Sequence, residues 1–240
     1  MPVDLAGGDA LVAGASQGIG RAIASALVDQ GMRVWLVARR QEPLDELAAT
    51  LGPRAMALAA DLTDADQRAA VVDRVTSATG GRLDVLVLTA GLTHLGRMDE
   101  ATIAELDEQL QGNVVAPYGL TQALLPTLRA TEGQVVFVNS SAGKSANAGV
   151  GQYSASMHAS AAMAASLRAE VNDDGIRVTV VHPGRTATPR QESIHRFEGR
   201  AYRPELLLQP ADVAEVVVAA LRLPRTAELT ELSIRPMRKS

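Results

Sequence analysis

A short apolar run that breaks into a glycine-rich turn and resumes as an amphipathic helix constrains this chain more than any other stretch. The run is Asp9-Ala10-Leu11-Val12-Ala13, the turn is Gly14-Ala15-Ser16-Gln17-Gly18-Ile19-Gly20, and the helix continues through Arg21 to Leu27. Leu11 to Ala13 are apolar throughout, as a strand covered on both faces requires, and Ile23, Ala26 and Leu27 recur at helical spacing. Glycines there clear side chains from a place where backbone must approach a pyrophosphate, and the free N–H groups of the new helix face that charge. The spacing Gly14-xxx-Gly18-x-Gly20 departs from the commoner G-x-G-x-x-G, and a tight turn with no ligand also favours glycine.

The rest of the chain repeats the same alternation. Strands are expected at 32–38, 54–59, 83–88, 134–139 and 176–182, with an edge strand at 228–234. Helices are expected at 42–50, 64–78, 99–129, 152–171 and 212–221, the long one interrupted near Gly112 and Pro117. Thr63 or Asp64 would cap the helix that begins there. Alternation of this kind implies right-handed crossovers. The fold class is therefore α/β, a single-domain Rossmann-like doubly wound sheet of about seven mostly parallel strands with helices on both faces, occupying residues 1–240.

Composition closes off several classes of function. A net charge of −4 with scattered signs offers no basic stripe, and aromatic residues make up only 2% of the 240 positions, so no nucleic-acid partner is expected. The chain has no cysteine and four scattered histidines, which excludes disulfides and thiolate chemistry and gives no metal-ligand spacing. No apolar run is long enough to span a bilayer and Met1-Pro2-Val3-Asp4 does not resemble a signal peptide, so a cytoplasmic location with no membrane partner is expected.

In an open parallel sheet ligands lie beyond the carboxyl ends of the strands, so chemistry is sought just after each one. Those positions hold the glycine turn, then Arg39-Arg40, then Asp61, Thr89-Ala90-Gly91, Ser140-Ser141 and Pro183-Gly184. Arg39 and Arg40 stand where a carboxylate would receive a ribose 2′-hydroxyl, and a guanidinium suits a 2′-phosphate instead, which favours NADP over NAD. Two solvated loop arginines are the plain alternative. Asp61 would meet an adenine amino group or cap the following helix.

In this order the residues resemble the short-chain dehydrogenase/reductase family, from about Ala10 to Pro236. Gly14-Ala15-Ser16-Gln17-Gly18-Ile19-Gly20 resembles its cofactor turn, Asp61 its adenine contact, and Leu88-Thr89-Ala90-Gly91 its Asn-Asn-Ala-Gly segment with both asparagines absent. Asn113 falls at its active-site asparagine, and Ser140 and Tyr153 at its catalytic serine and tyrosine. Ser140 is preferred to Ser141 because its spacing to Tyr153 is the family's. Pro183-Gly184-Arg185-Thr186-Ala187-Thr188 resembles the segment that holds the nicotinamide carboxamide. The resemblance implies a cofactor site of Gly14, Ser16, Gln17, Gly18, Ile19, Gly20, Arg39, Arg40, Asp61, Leu62, Ala90, Gly91, Tyr153, Pro183, Gly184, Thr186 and Thr188. It also implies NADP(H)-dependent hydride transfer between a carbonyl and an alcohol, with Tyr153 donating the proton and Ser140 holding the oxygen.

One position departs from that pattern. The family's lysine, one turn after the tyrosine, grips the nicotinamide ribose and lowers the tyrosine's pKa; here it is Met157, in Tyr153-Ser154-Ala155-Ser156-Met157. A thioether can do neither. His158 is rotated about 100° away on a helix, and Lys144, a loop lysine near the entrance, is the other substitute considered. Two readings compete. One is a carbonyl reductase, weakened or altered by a natural or engineered substitution, since a phenol at the ordinary pKa of about 10 is already protonated and able to donate. The other is a non-redox member, a cyclase, dehydratase or binding or assembly protein, that keeps the nucleotide pocket.

Residues 186–209, with Arg190, His195, Arg196, Phe197 and Tyr202, fall where the family places a substrate lid. Their cations and aromatics would suit an aromatic or polyketide-like ligand, or form an ordinary charged surface helix. A homodimer or homotetramer is expected to use the helices at 99–129 and 152–171, where Ala155, Ala159, Ala161, Ala162, Ala164 and Ala165 permit close approach.

Overall fold

The computed structural model describes residues 1–89 and 91–238. Seven strands form one sheet in the order β3-β2-β1-β4-β5-β6-β7. They are β1 (Asp9–Ala13), β2 (Arg33–Ala38), β3 (Ala55–Ala59), β4 (Val85–Leu88), β5 (Gln134–Val138), β6 (Arg177–Pro183) and β7 (Glu231–Ile234). Every neighbouring pair is parallel, so the sheet is wholly rather than mostly parallel, and β7 is its edge. The strand order reverses between β1 and β4, so the segments that leave their carboxyl ends turn to opposite faces of the sheet and leave a crevice between them.

Alternate side chains of each strand feed opposite layers, as the period of a strand requires. Ala10 and Val12 of β1 pack with Ile23 and Leu27 of α1 (Gly18–Asp29), Leu44 and Leu47 of α2 (Gln41–Leu51), and Val213 and Val217 of α8 (Pro210–Leu221). Leu11 and Ala13 pack on the other side, with Val71 and Val75 of α3 (Ala65–Thr79), Leu120 and Leu124 of α5 (Ala116–Arg129), and Ala164 and Val171 of α6 (Gly151–Val171). With both faces covered, the central strands are continuous apolar runs.

Three departures from the expected boundaries have local causes. Between α4 (Ile103–Leu110) and α5 the chain does not break; it widens into a π-helical turn at Gln111–Val115. Pro117 has no N–H, and the Ala116 N–H bonds to the Gln111 carbonyl, so the carbonyls of Gly112 and Asn113 lose the donors an α-helix would give them. α8 starts at Pro210 rather than 212, because proline suits a first helical position and Asp212 reaches back to the Gln209 N–H at 2.8 Å. β7 is shorter than 228–234, since the Glu228 carboxylate takes the Val178 N–H at 2.7 Å. Of the two proposed caps, Asp64 begins α3, receiving the N–H groups of Asp66 and Gln67 at 2.9 and 3.0 Å. No helix among the described residues is long and apolar enough to cross a membrane.

Candidate active site

The glycine turn is shaped by what cannot fit in it. Gly14 and Gly18 have φ of +89° and +56°, a region that residues with a Cβ rarely adopt. A Cβ on Gly20 would lie 2.2 Å from the Gly14 carbonyl oxygen and 2.5 Å from Thr89 Oγ1, so the first turn of α1 packs directly on the end of β1. Gln17, at the N-cap of α1, makes no side-chain bond to the helix, and the first turn carries no acidic residue. Its opening N–H groups are therefore left for an anion. Thr89, where the resembled segment has asparagine, donates its hydroxyl to the Ala13 carbonyl at 2.7 Å and ties β4 to β1.

From this turn a cavity of about 1130 Å³ runs along the carboxyl ends of the strands. It gathers Gly14, Ser16, Gln17, Gly18, Ile19, Gly20, Arg39, Arg40, Asp61, Leu62, Gly91, Ser140, Tyr153, Pro183, Gly184, Thr186 and Thr188 on one continuous wall. Ala90 lies outside the described residues. Arg39 and Arg40 are exposed at one end and make no ion pair among the described residues. Asp61 does not cap α3 itself. Its Oδ1 receives the Thr63 N–H and hydroxyl at 3.0 and 2.7 Å, folding the turn before the cap and leaving the carboxylate on the cavity wall.

At the other end Ser140 and Tyr153 share the wall, whereas Ser141 points to solvent. Ser140 Oγ accepts the Ala142 N–H at 3.1 Å, so its own proton is free to be donated. Asn113 and Met157 are not among the described lining residues. Asn113, 3% exposed on the π-turn, bonds to both backbone groups of Leu92, accepting at 2.6 Å and donating at 2.9 Å, and donates to Ser156 Oγ at 2.9 Å. Its side chain is consumed in holding the loop after β4 against α6. Met157 is buried at 7% exposure, one turn beyond Tyr153. Neither candidate substitute stands in for a lysine. Lys144 is drawn to Glu231 on β7 at 2.6 Å, and His158 is exposed with Nδ1 against the Ser154 carbonyl at 2.8 Å.

Residues 186–209 contain α7 (Pro189–Phe197), capped by Thr188. Arg190 lines the cavity and donates to the Gly91 carbonyl at 2.5 Å, bridging α7 to the loop after β4. The expected aromatic and cationic mix does not collect there. His195 is buried against the Tyr202 ring at 5.5 Å, Phe197 is exposed, and Arg196 reaches only Glu192, at 3.8 Å. The sequence reading missed His94, Asp107, Glu108 and Gln111, which line this end instead, with His94 Nε2 3.0 Å from Glu108 Oε2. Their position one helical turn or so before Asn113, and just past Gly91, was the available signal.

The short chain dehydrogenase family model matches residues 9–199, and the chain belongs to that family. It is an oxidoreductase of the short-chain dehydrogenase type. It is 34% identical, over 97% of its length, to the glycine betaine reductase ATRR of Emericella nidulans, although it spans only 19% of that longer protein. Among solved structures it resembles an alcohol dehydrogenase from the archaeon Thermococcus sibiricus in complex with 5-hydroxy-NADP, at 27% identity and TM-score 0.87, covering 97% of this chain and 98% of that one. It also resembles a variant actinorhodin polyketide ketoreductase with NADPH, at 26% identity and TM-score 0.88, covering 98% and 97%. The cradle around Gly20, the open N-terminus of α1 and the cationic end at Arg39 and Arg40 fit a phosphorylated dinucleotide of the kind those complexes hold.

Proposed function

We propose that this chain reduces a small-molecule carbonyl to an alcohol with NADPH. The observation that carries this is the single wall that unites the glycine turn, Arg39 and Arg40 with Ser140 and Tyr153. When bound, the dinucleotide supplies the hydride that adds to the carbonyl carbon. As charge gathers on the substrate oxygen, the Ser140 hydroxyl donates a hydrogen bond to it and the Tyr153 hydroxyl delivers the proton. Arg39 and Arg40 bind the 2′-phosphate, with Asp61 and Leu62 beside the adenine and Pro183, Gly184, Thr186 and Thr188 along the carboxamide side. Met157 fills the lysine position and supplies no charge, so donation to an alkoxide, which needs a protonated tyrosine, is favoured over the reverse oxidation.

Residues 186–209 act as a lid, with Arg190 as the contact that closes it. The cavity lining sets His94, Asp107, Glu108 and Gln111 among aliphatic residues such as Leu92 and Ile194, and Tyr153 is the only Phe, Tyr or Trp among the described lining residues. That favours an oxygenated aliphatic carbonyl over an aromatic one. Assembly into a homodimer or homotetramer is supported by Ala155, Ala162 and Ala165, exposed on α6, and by Tyr118, 55% exposed on α5. A non-redox role finds support in one observation, the burial of an apolar Met157 where a charge is expected. A ketone and aldehyde panel with NADPH and NADH tests the proposal: carbonyl-dependent NADPH oxidation supports it, and substrate conversion with no nicotinamide change favours the non-redox role.

A further inference from the structure

Ser140 leaves the end of β5 with each of its backbone groups met by a side chain, the carbonyl also accepting the Gly143 N–H at 2.9 Å. Its N–H donates to Asn139 Oδ1 at 2.7 Å, and its carbonyl meets His182 Nδ1, on β6, at 3.1 Å. A carbonyl can only accept, so the His182 proton sits on Nδ1. His182 is 2% exposed and Asn139 9%. The remaining histidine nitrogen, Nε2, has no hydrogen-bond partner and lies 3.9 Å from Glu231 Oε2, which Lys144 already engages. Its one made bond is the one to Ser140.

Asn139 reaches in the opposite direction as well. Its Nδ2 donates to the Met157 carbonyl at 2.9 Å, so one side chain bridges the Ser140 peptide and α6, the helix that carries Tyr153. Gly143 makes the room: a Cβ there would stand 2.2 Å from Asn139 Oδ1 and 3.1 Å from the Met157 oxygen. Beyond Asn139, whose N–H still bonds to the Val181 carbonyl at 2.8 Å, the strand opens into the short turn Ser141–Gly143, and a site tolerates only about 0.5 Å of misplacement.

We propose that Asn139 and His182 are positioning residues that clamp the two successive peptide groups flanking the Ser140 Cα and, through the Met157 carbonyl, set Ser140 against Tyr153. The proposal rests on the carbonyl-reduction reading for its catalytic consequence. Where no lysine organises the tyrosine and ribose, this clamp is what keeps the two hydroxyls in register. Losing Asn139 strands the Ser140 N–H, and losing His182 leaves the Ser140 carbonyl with the Gly143 N–H alone, so the turn loosens.

The full-length protein is compared with His182→Leu, His182→Asn and Asn139→Asp. Asparagine keeps a donor on Cγ where the imidazole has Nδ1, while Asn139→Asp keeps the acceptor for Ser140 and removes the donor to Met157. Amide hydrogen exchange over residues 140–143 should quicken in His182→Leu and Asn139→Asp and return toward wild type in His182→Asn. With a carbonyl substrate, kcat should fall about tenfold or more in the first two variants, while KM and NADPH affinity stay within about twofold, and His182→Asn should recover most of it. Faster exchange in a protein whose wild type reduces no carbonyl sinks the reductase reading and upholds the clamp. Unchanged exchange in both variants, or a kcat loss that His182→Asn does not relieve, overturns the clamp.

Discussion

Around Gly14, Gly18 and Gly20 the cleft is shaped by main chain, whereas around Ser140, Tyr153 and Met157 it is shaped by side chains. At the first end a missing Cβ is the essential feature, and any added atom at Gly20 collides with the Gly14 carbonyl at 2.2 Å. At the second, the Ser140 hydroxyl takes the Ala142 N–H at 3.1 Å, and a buried thioether stands where a charge is expected. The backbone end tolerates no substitution but asks for little chemistry. The side-chain end holds its architecture without a lysine, because Asn113, Asn139 and His182 hold the surrounding segments through neutral hydrogen bonds.

The largest way to break the contrast is at the turn. Gly20→Ala should lower NADPH affinity by on the order of a hundredfold, since the helix must move off β1, measured by calorimetry. An affinity within a few-fold of wild type would mean that the turn is not the phosphate cradle. Next in size is the cationic end: Arg39→Ala with Arg40→Ala should cost roughly tenfold to a hundredfold in NADPH affinity and leave NADH almost unaffected, as loss of charge-assisted bonds to one phosphate predicts. Equal losses for the two cofactors would place those arginines outside the site.

At the side-chain end the expected changes are smaller. Met157→Lys restores an ammonium on the same face of α6 as Tyr153 and should raise carbonyl reduction about tenfold, read as kcat/KM. A fall, with NADPH binding intact, would show that the pocket has been rebuilt around the apolar side chain.

Most of the fold was legible because it is written in periods. Continuous apolar runs such as Val34-Trp35-Leu36-Val37 in turn with helical repeats such as Ile23, Leu27 announce layers, and a parallel sheet follows from their order. The cavity wall was legible for the same reason, since Gly14, Arg39, Asp61, Ser140 and Gly184 all lie just past strand ends. Partners of side chains were not. Nothing in the one-dimensional pattern says that Lys144 pairs with Glu231 or that His182 meets Ser140, because each contact joins elements distant in sequence. The substrate end escaped for a related reason. His94 and Glu108 are unremarkable residues of a loop and a helix until folding sets them together at 3.0 Å.

The smallest effect concerns pH. Desolvation holds the His182 pKa below its ordinary value, Lys144 and His158 push the same way, and the Ser140 carbonyl and Glu231 oppose them. The folded chain therefore refuses a proton that the unfolded chain accepts near pH 6.5, so stability present above that pH is lost as pH falls. Melting profiles should show wild type losing more stability than His182→Asn between neutral pH and pH of about 5. Parallel profiles would remove His182 from the buried network.

The most direct measurement compares wild type with Tyr153→Phe in carbonyl-dependent loss of nicotinamide absorbance, with NADPH binding measured on both. The account predicts turnover in wild type and its loss by a factor of about a hundred or more in Tyr153→Phe, at unchanged NADPH affinity. Equal turnover in the two proteins, or substrate conversion by wild type with no change in nicotinamide absorbance, would contradict it.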